Sequence, residues 1–362
     1  MLLLAACATT TPPAAPATTP ATPAAPTARE AATVVTVPEA YVSAPQPSEE
    51  LDSLATWPAP DGRTWLIATA KSTHRLVVFD ADTGARLRDV GGEGEAPGQF
   101  DRPNGIAVHG DRAFVVERDN RRVQVFALPA FTPVATFGQD VLRSPYGIWL
   151  TETEPGELEL YVTDSFMEGA KFDVVPPFAT LDQRVRRFRV HLEHDGELRT
   201  TYAGSFGDTR EESALRMVES LAGDPANDRL LIADEDRRHA STLREYSFSG
   251  RYTGRSLPQD AFAAEAEGVA LWNCGDGAGY WLAVDQLAPL TEFHLFDRVT
   301  LAPVGSFRGT TTAYTDGVTL HAPATRAFPH GALFAVHDDK SVSAFDLRDI
   351  ARVLGLSPAC TR

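Results

Sequence analysis

The sequence lacks any long apolar run. None of its 362 residues falls in a stretch of about 18 consecutive apolar residues, so we expect no helix that spans a membrane. Methionine is also scarce, with 3 residues, whereas glycine and proline number 27 and 26. Many turn-forming residues beside few methionines favour short strands joined by tight turns over long helices.

Positive charge is in short supply as well. The chain has 33 lysines and arginines against 49 aspartates and glutamates, which gives a net charge of -16. Such a chain has little to set against the phosphates of a nucleic acid or an anionic lipid surface, so we expect neither as a direct partner. A polyanionic small substrate would need a local group of bases or bound cations.

Several catalytic motifs are missing from the sequence. It has no Gly-x-Ser-x-Gly elbow, no His-Glu-x-x-His zinc motif and no glycine-rich phosphate loop ahead of a helix. Serine hydrolases of the elbow type, zinc proteases and nucleotide-binding enzymes of the phosphate-loop type are therefore not indicated. The chemistry has to be sought in acids, bases and their spacing.

Cysteine is rare, with 3 residues. Cys7 follows Leu-Ala-Ala, which matches the lipobox of bacterial lipoproteins, but the apolar residues before it are too few for a complete signal peptide. We therefore predict that translation starts upstream of Met1 and that Cys7 carries a lipid. Cys274 and Cys360 would then lie in an oxidising envelope, and the sequence leaves open whether they form a disulfide or stay as two buried thiols.

The segment after Cys7 is of low complexity. Residues 8–28 are all alanine, threonine or proline, a composition that builds no core and forms an extended spacer. We predict a lipoprotein-like signal remnant and tether over residues 1–31 and a folded domain over residues 32–362. The protein is expected to be a monomer in the bacterial cell envelope, at the outer membrane or in the periplasm, or secreted. It would touch a membrane only through the lipid on Cys7.

The folded region repeats one pattern six times. Apolar first strands, 42 to 73 residues apart, begin at Asp52, Asn104, Tyr146, Glu219, Glu267 and Asp316. Second and third strands follow in every unit, and a fourth strand follows in five of them. This period with four strands per unit is typical of β-propeller blades. We predict an all-β, six-bladed propeller, whose ring is closed by an N-terminal strand near residues 33–42 that pairs with the last blade.

The longest interval between units contains an insertion, residues 166–184. A degenerate seventh blade is the alternative, but this segment contains no strand pair, so we predict a loop in the third blade.

Acidic residues gather at one rim of the predicted propeller. Antiparallel pairing brings the start of each first strand beside the end of the second strand, so Glu219 is expected beside Glu235. The rim positions also include Asn104, Glu117, Asp164, Asp234 and Asp338. Converging carboxylate and amide oxygens are the ligands that Ca²⁺ requires, and bases on the opposite side, Lys71 and Arg118, would receive anionic oxygens. The alternative is a solvated rim of turn-capping acids.

Two resemblances add to this interpretation. Residues 91–108 together with 119–126 resemble one NHL repeat, which indicates a propeller blade and says little about function. A broader likeness, over residues 52–347, is to the β-propeller phytases, calcium-dependent phosphatases that act on myo-inositol hexakisphosphate. Its matching stretches are DSLATW at 52–57, ATAK at 68–71, ESLAGDPANDRLLIADED at 219–236, EAEG at 265–268 and TDGV at 315–318.

The phytase resemblance implies a role for each rim residue. Those implied to bind several Ca²⁺ ions or to position water are Asp52, Glu219, Glu235, Glu265, Glu267, Gln286 and Asp316. Those implied to act in catalysis and phosphate binding are Lys71, Arg118, Tyr146 and Glu235. The activity implied is a phosphomonoesterase that hydrolyses phytate or a related phosphorylated small molecule with metal-activated water.

The sequence also departs from that family. Thr163-Asp164-Ser165 stands where the family has a Lys-Glu pair, so one phosphate-binding base is missing, and Thr310 stands at a family aspartate. Both changes weaken the phosphate site. Two other functions stay open: a non-catalytic, envelope-tethered propeller that binds a ligand or a protein, and a six-bladed hydrolase of the gluconolactonase type, which needs a single metal.

Overall fold

The computed structural model describes residues 34–193, 197–275 and 277–361, all within a unit that runs from Thr33 to Arg362. The predicted tether, residues 1–31, and Cys7 lie outside the described residues. Within those ranges no helix combines the length and the apolar character that crossing a membrane requires.

Six antiparallel sheets of four strands account for nearly all of the regular structure. Two short strands come first, β1 (Val35–Thr36) and β2 (Tyr41–Val42). The first blade contains β3 (Leu51–Pro58), β4 (Thr64–Ala70), β5 (Arg75–Asp80) and β6 (Arg86–Gly91). The second contains β7 (Pro103–His109), β8 (Arg112–Glu117), β9 (Arg122–Ala127) and β10 (Thr132–Phe137). The third contains β11 (Pro145–Glu154), β12 (Glu157–Asp164), β13 (Val185–Leu192) and β14 (Leu198–Phe206).

The remaining three blades follow the same order. The fourth contains β15 (Val218–Asp224), β16 (Arg229–Asp234), β17 (Thr242–Tyr246) and β18 (Tyr252–Ser256). The fifth contains β19 (Ala266–Gly275), β20 (Ala278–Asp285), β21 (Glu292–Asp297) and β22 (Pro303–Arg308). The sixth contains β23 (Val318–His321), β24 (Ala332–His337) and β25 (Ser341–Asp346), with β2 as its outer strand. The prediction of an all-β, six-bladed propeller is confirmed.

The N-terminal strands join two different blades. β2 pairs antiparallel with β25, with Tyr41 opposite Ala344, as expected for the last blade. β1 instead runs parallel to β22 and adds a fifth strand to the fifth blade. Between them, Glu39 accepts hydrogen bonds from the backbone amides of residues 310–312. The segment expected to serve only the sixth blade thus also fastens onto the fifth.

The core is divided among the blade interfaces. In the part of the chain that the structure describes, six clusters of buried apolar side chains lie one between each pair of adjacent blades. The cluster between the first two blades contains Trp57 and Phe126, for example. Each buried side chain of this size stabilises the fold by about 1.5–3 kcal/mol. Packing between blades therefore fixes the positions of the strands around the channel.

Among residues 34–193, 197–275 and 277–361, helical structure is confined to short pieces. One α-helix, α1 (Leu347–Leu354), is capped by Asp346 at its start and ends at Gly355 with a left-handed φ of 62°. Short 3₁₀ turns are found at Phe178–Gln183, Pro225–Asn227, Arg237–His239, Gln259–Ala261 and Pro358–Thr361. Cys274 and Cys360 form a disulfide, which links the C-terminal residues to β19. Of the two states that the sequence left open for these cysteines, the structure has the disulfide.

The insertion in the third blade contains no further blade. Residues 166–184 hold one isolated bridge, Glu168 opposite Val174, and the first of the 3₁₀ turns. The predicted loop is what the structure contains.

Candidate functional site

A repeated irregularity shapes the start of the first strand. In five blades the pairing between the first and second strands shifts near its beginning; in the fourth blade the shift lies between Val218 and Leu221. Such a β-bulge bends the strand and turns a side chain away from its regular direction. The residue in each bulge is the one at which the sequence repeat was recognised.

Small residues follow these positions because neighbouring first strands touch. A Cβ atom on Gly147 would lie 2.3 Å from the carbonyl oxygen of Glu219, and one on Gly317 would lie 2.2 Å from that of Asp52. Contacts this short exclude a side chain at either glycine. The strands therefore close tightly around the channel, and one residue of each blade forms what we name the channel ring: Asp52, Asn104, Tyr146, Glu219, Glu267 and Asp316.

Three glutamates meet on one side of the channel ring. Oxygen atoms of Glu219, Glu235 and Glu267 all lie within 4.8 Å of one another, and we name these three residues the carboxylate cluster. Glu235 and Glu267 are 7% and 6% exposed. The predicted hairpin geometry thus brings Glu219 beside Glu235, and Glu267 joins them from the next blade.

The electrostatics of the carboxylate cluster are unfavourable without a counter-charge. Burial, with the nearby Asp52 and Asp316, raises the pKa of Glu219 to about 8. Burial, with Glu219 and Glu267, raises the pKa of Glu235 well above its ordinary value. Burial, with Glu219, Asp316 and Asp52, likewise raises the pKa of Glu267. Buried like charges this close favour uptake of a proton or of a cation.

Two buried oxygen atoms at the ring lack a hydrogen-bond partner among the described residues. They are Oε1 of Glu235 and Oδ1 of Asn104. A buried acceptor without a donor costs free energy comparable to a lost hydrogen bond, and such acceptors are rare in protein interiors. A cation ligated by oxygen would satisfy both kinds of atom, so the residues present fit a hard divalent cation such as Ca²⁺.

Lys71 lies among the acids of the ring. Its Nζ is 3.0 Å from Asp52 and 3.2 Å from Asp316. Burial lowers the pKa of Lys71, but the two carboxylates outweigh that effect and raise the pKa above its ordinary value. The expectation that Lys71 faces the acids from the opposite side is therefore wrong. Lys71 directly follows β4, and β4 pairs with β3, which has Asp52 near its start. Antiparallel pairing of these two strands therefore places Lys71 beside Asp52.

Two amide side chains complete this half of the ring. Gln286 donates to Oδ1 of Asp316 at 2.5 Å, and Asn104 donates to Oδ2 of Asp52 at 3.1 Å. Burial and Asp52 raise the pKa of Asp316 to about 7. Of the predicted metal ligands, Asp52 and Asp316 are thus linked through Lys71, and Gln286 is bonded to Asp316. Asp52 and Asp316 lie close enough to the carboxylate cluster to raise the pKa of Glu219.

Glu265 lies apart from the cluster. Its side chain is 33% exposed and lies 3.9 Å from Arg237. Its backbone oxygen accepts a hydrogen bond from the backbone amide of Gln286. The carboxylate cluster does not include it, although it was predicted as a ligand. It precedes the bulge in β19, so its side chain has a different direction from that of Glu267.

The opposite half of the ring borders an open cavity of about 470 Å³. Its wall includes Arg118, Tyr146 and Glu219. Arg118 is held in two hydrogen bonds by Asp119, at 2.7 and 2.9 Å, and also bonds the hydroxyl of Tyr146. Glu219 and burial raise the pKa of Tyr146 well above its ordinary value, which keeps its hydroxyl protonated. Arg118 and Tyr146 thus lie together, and the cavity wall that they share with Glu219 adjoins the carboxylate cluster.

Other acids at the strand ends have a structural task. Asp234 accepts the backbone amides of Arg216 and Met217, and Asp164 accepts those of Arg143 and Ser144. A base of the third strand lies beside each of these acids; Arg186 is 2.9 Å from Asp164. These acids fasten the loop before each first strand. Sequence reasoning had placed them on the same rim as the channel ring.

Two basic residues of the cavity are absent from the predicted site. Arg121 and Arg143 line it together with Arg118. Both lie in loops between strands, where the blade repeat gives no position to compare. The one signal in the sequence is the position of Arg143, a basic residue three positions before Tyr146.

Comparisons with known proteins find a likeness in structure and none in sequence. No family model matches the sequence, and no curated protein matches it. Among solved structures, the chain is similar to the β-propeller domain of Cps50 (Swd1) from Myceliophteria thermophila, with 11% sequence identity and a TM-score of 0.47. The match covers 84% of this chain and 99% of that one. The protein belongs by its architecture to the β-propellers.

Proposed function

We propose that this propeller is a calcium-dependent phosphomonoesterase that acts on phytate or a related phosphoester. The observation that carries the proposal is the carboxylate cluster, in which one Glu235 oxygen has no hydrogen-bond partner among the described residues and Glu219 lines a cavity together with arginines. A cation would neutralise the acids of the carboxylate cluster, and an anion would neutralise the arginines of the cavity. A phosphoester bound through a metal ion would supply both charges.

The residues that would hold the metal form an all-oxygen set. Glu219, Glu235 and Glu267 would supply the central ligands, with Asp52 and Asp316 next to them. Ca²⁺ takes six to eight oxygen ligands in flexible arrangements, whereas the absence of histidine and cysteine from this set disfavours zinc. Bound divalent cations would neutralise the acids, bind phosphoryl oxygens and activate the attacking water.

The chain itself would position the phosphate. The guanidinium of Arg118 is anchored by Asp119 and is directed towards Tyr146 at the edge of the cavity. A fixed guanidinium can stabilise the charge on phosphoryl oxygens without having to reorganise, and the protonated hydroxyl of Tyr146 adds a further donor. In the reaction a phosphorus–oxygen bond to water forms as the bond to the alcohol breaks. A proton from that water ends on the alcohol.

Lys71 contributes in another way. Its ion pairs with Asp52 and Asp316 remove part of the negative charge from the first and sixth blades. That leaves the carboxylate cluster as the region most in need of a cation. We assign Lys71 to setting the charge of the ring and to reaching a phosphoryl oxygen only when a cation replaces it beside the acids.

The test is release of inorganic phosphate from phytate and from a panel of simpler phosphomonoesters, measured with added Ca²⁺ and with a chelator. We expect release that depends on Ca²⁺ and is restored when Ca²⁺ is added back. The matched control is the protein in chelator with added Mg²⁺, which keeps several of its own waters and should restore less activity. Calcium binding without release of phosphate from any ester would instead favour a non-catalytic binding protein.

A further inference from the structure

The cavity beside the channel ring has two kinds of wall. Among its lining residues, Arg118, Arg121 and Arg143 form what we name the charged wall. Phe166, Met167, Phe172 and Met217 form what we name the apolar wall, and the two walls meet where Arg143 lies over the ring of Phe166. The volume of the cavity, about 470 Å³, is in the range of small-molecule sites. A cavity lined by both groups favours a ligand that has a charged part and an apolar part.

The charged wall has spare positive charge. Arg118 is paired with Asp119, but among the described residues neither Arg121 nor Arg143 has an acidic partner. The guanidinium of Arg143 instead lies over the ring of Phe166, 3.8 Å from its centroid. In a chain with a net charge of -16, two unpaired arginines at one cavity favour an anionic ligand there.

The apolar wall is unusually open to solvent. Phe172 is 77% exposed, and it comes from the insertion of the third blade. Its φ of 53° is left-handed, which a bulky residue rarely adopts, and its amide donates to Gly169 inside a tight turn. A strained loop that presents an aromatic ring to a cavity is typical of a binding surface.

We propose that this cavity selects phosphomonoesters with a flat apolar or aromatic body. The proposal rests on the proposed function and narrows its substrate class. The phosphate would lie against the arginines and Tyr146, next to Glu219, and the body of the substrate would pack on Phe172 and the two methionines. A hexakisphosphate fits this cavity poorly, because it would press phosphates against the apolar wall, where they lose hydration without gaining a partner.

Two phosphonates test this without relying on turnover. Phenylphosphonate and methylphosphonate cannot be hydrolysed, and they differ only in the group that would face Phe172. With Ca²⁺ present, calorimetry should find phenylphosphonate bound about tenfold more tightly, as expected for one aromatic contact with its buried area. The variant F172S should reduce this ratio to about threefold or less, and should leave methylphosphonate binding unchanged.

Further variants separate charge from packing. R143Q should weaken both phosphonates by the same factor, about tenfold, and R143K should recover part of that loss. The control V304S changes an exposed apolar residue of β22, away from the cavity, and should alter neither ligand's affinity. Melting curves should show that F172S folds normally, because Phe172 is exposed.

The outcomes distinguish this inference from the proposed function. Equal affinity for the two phosphonates would overturn the inference, even if phosphoesters are hydrolysed. A preference for phenylphosphonate that disappears in F172S would support it, even if no ester is hydrolysed and the proposed catalysis fails.

Discussion

Two glutamates of the same molecule lie in opposite surroundings. Glu39, between the two N-terminal strands, accepts backbone amides from Thr310, Thr311 and Thr312 and two threonine hydroxyls. Burial acts against ionisation, but these hydrogen bonds prevail and lower the pKa of Glu39 to about 2. Glu235 has two other glutamates beside it and an oxygen with no partner among the described residues, and its pKa is raised.

The difference separates a structural acid from an acid that we propose to be functional. The carboxylate of Glu39 is satisfied by the fold itself, so it acts as a fastener between the fifth blade and the N-terminus. At Glu235, by contrast, one carboxylate oxygen has no hydrogen-bond partner among the described residues. Groups arranged at such a cost are found mainly at functional sites, where a ligand supplies what the fold does not.

The largest effect is expected from E267Q, which removes one charge from the carboxylate cluster. Phosphate release should fall by about 100-fold or more because a proposed metal ligand is lost. In chelator, however, E267Q should be more stable than the parent protein by about 1–3 kcal/mol, because it relieves repulsion between buried acids. Activity assays and denaturant unfolding in chelator measure the two effects.

The E267Q experiment is decisive because activity should fall while stability in chelator should rise. A variant that is less stable in chelator and less active would mean that Glu267 supports the fold as Glu39 does. The comparison between structural and functional acids would then fail at its strongest position.

The next effect is expected from E39Q and depends on pH. Because the folded pKa of Glu39 is depressed, its contribution to stability is present above the unfolded pKa of about 4.5 and is lost as the pH falls towards about 2. Allowing for its partial exposure, we expect E39Q to be less stable by about 1–2 kcal/mol at pH 7.

The stability difference between E39Q and the parent should shrink steadily between pH 4.5 and pH 2, as followed by denaturant unfolding. E154Q, at an exposed end of β11, is the control and should show no such dependence. If the stability difference between E39Q and the parent were the same at every pH, the negative charge of Glu39 would not be what strengthens its hydrogen bonds.

The smallest effect is expected from E265Q. Its side chain is partly exposed and its ion pair with Arg237 spans 3.9 Å, so the pair contributes little. We expect activity within about threefold of the parent and an unchanged number of bound Ca²⁺ ions by calorimetry. A loss as large as that of E267Q would place Glu265 among the ligands and enlarge the carboxylate cluster.

The repeat made much of the site predictable. The first-strand anchors follow a blade period, so the channel ring and the meeting of Glu219 with Glu235 follow from strand pairing alone. The bulges do not show in the sequence, and they decide that Glu267 enters the cluster while Glu265, two residues earlier, does not. The neighbours Asp234 and Glu235 raise the same difficulty, because only the register tells which of them faces the backbone amides.

Loops and very short strands were beyond such reasoning. Arg121 and Arg143 lie between strands, where no period applies, and their approach to Arg118 depends on how blades two and three pack. β1 has only two residues, too few for an alternating pattern, so its pairing with β22 in place of β25 had no sequence signal.

The tight contact between first strands has a consequence for how such a protein changes over time. In five blades the bulge and the small residue after it fix the position of the ring side chain, and in the sixth blade Gly317 packs against the Asp52 carbonyl in the same way. The side chains at the six positions of the channel ring can therefore be substituted one at a time while the backbone stays the same. The set found here, Asp-Asn-Tyr-Glu-Glu-Asp, is one of many that the same backbone can hold.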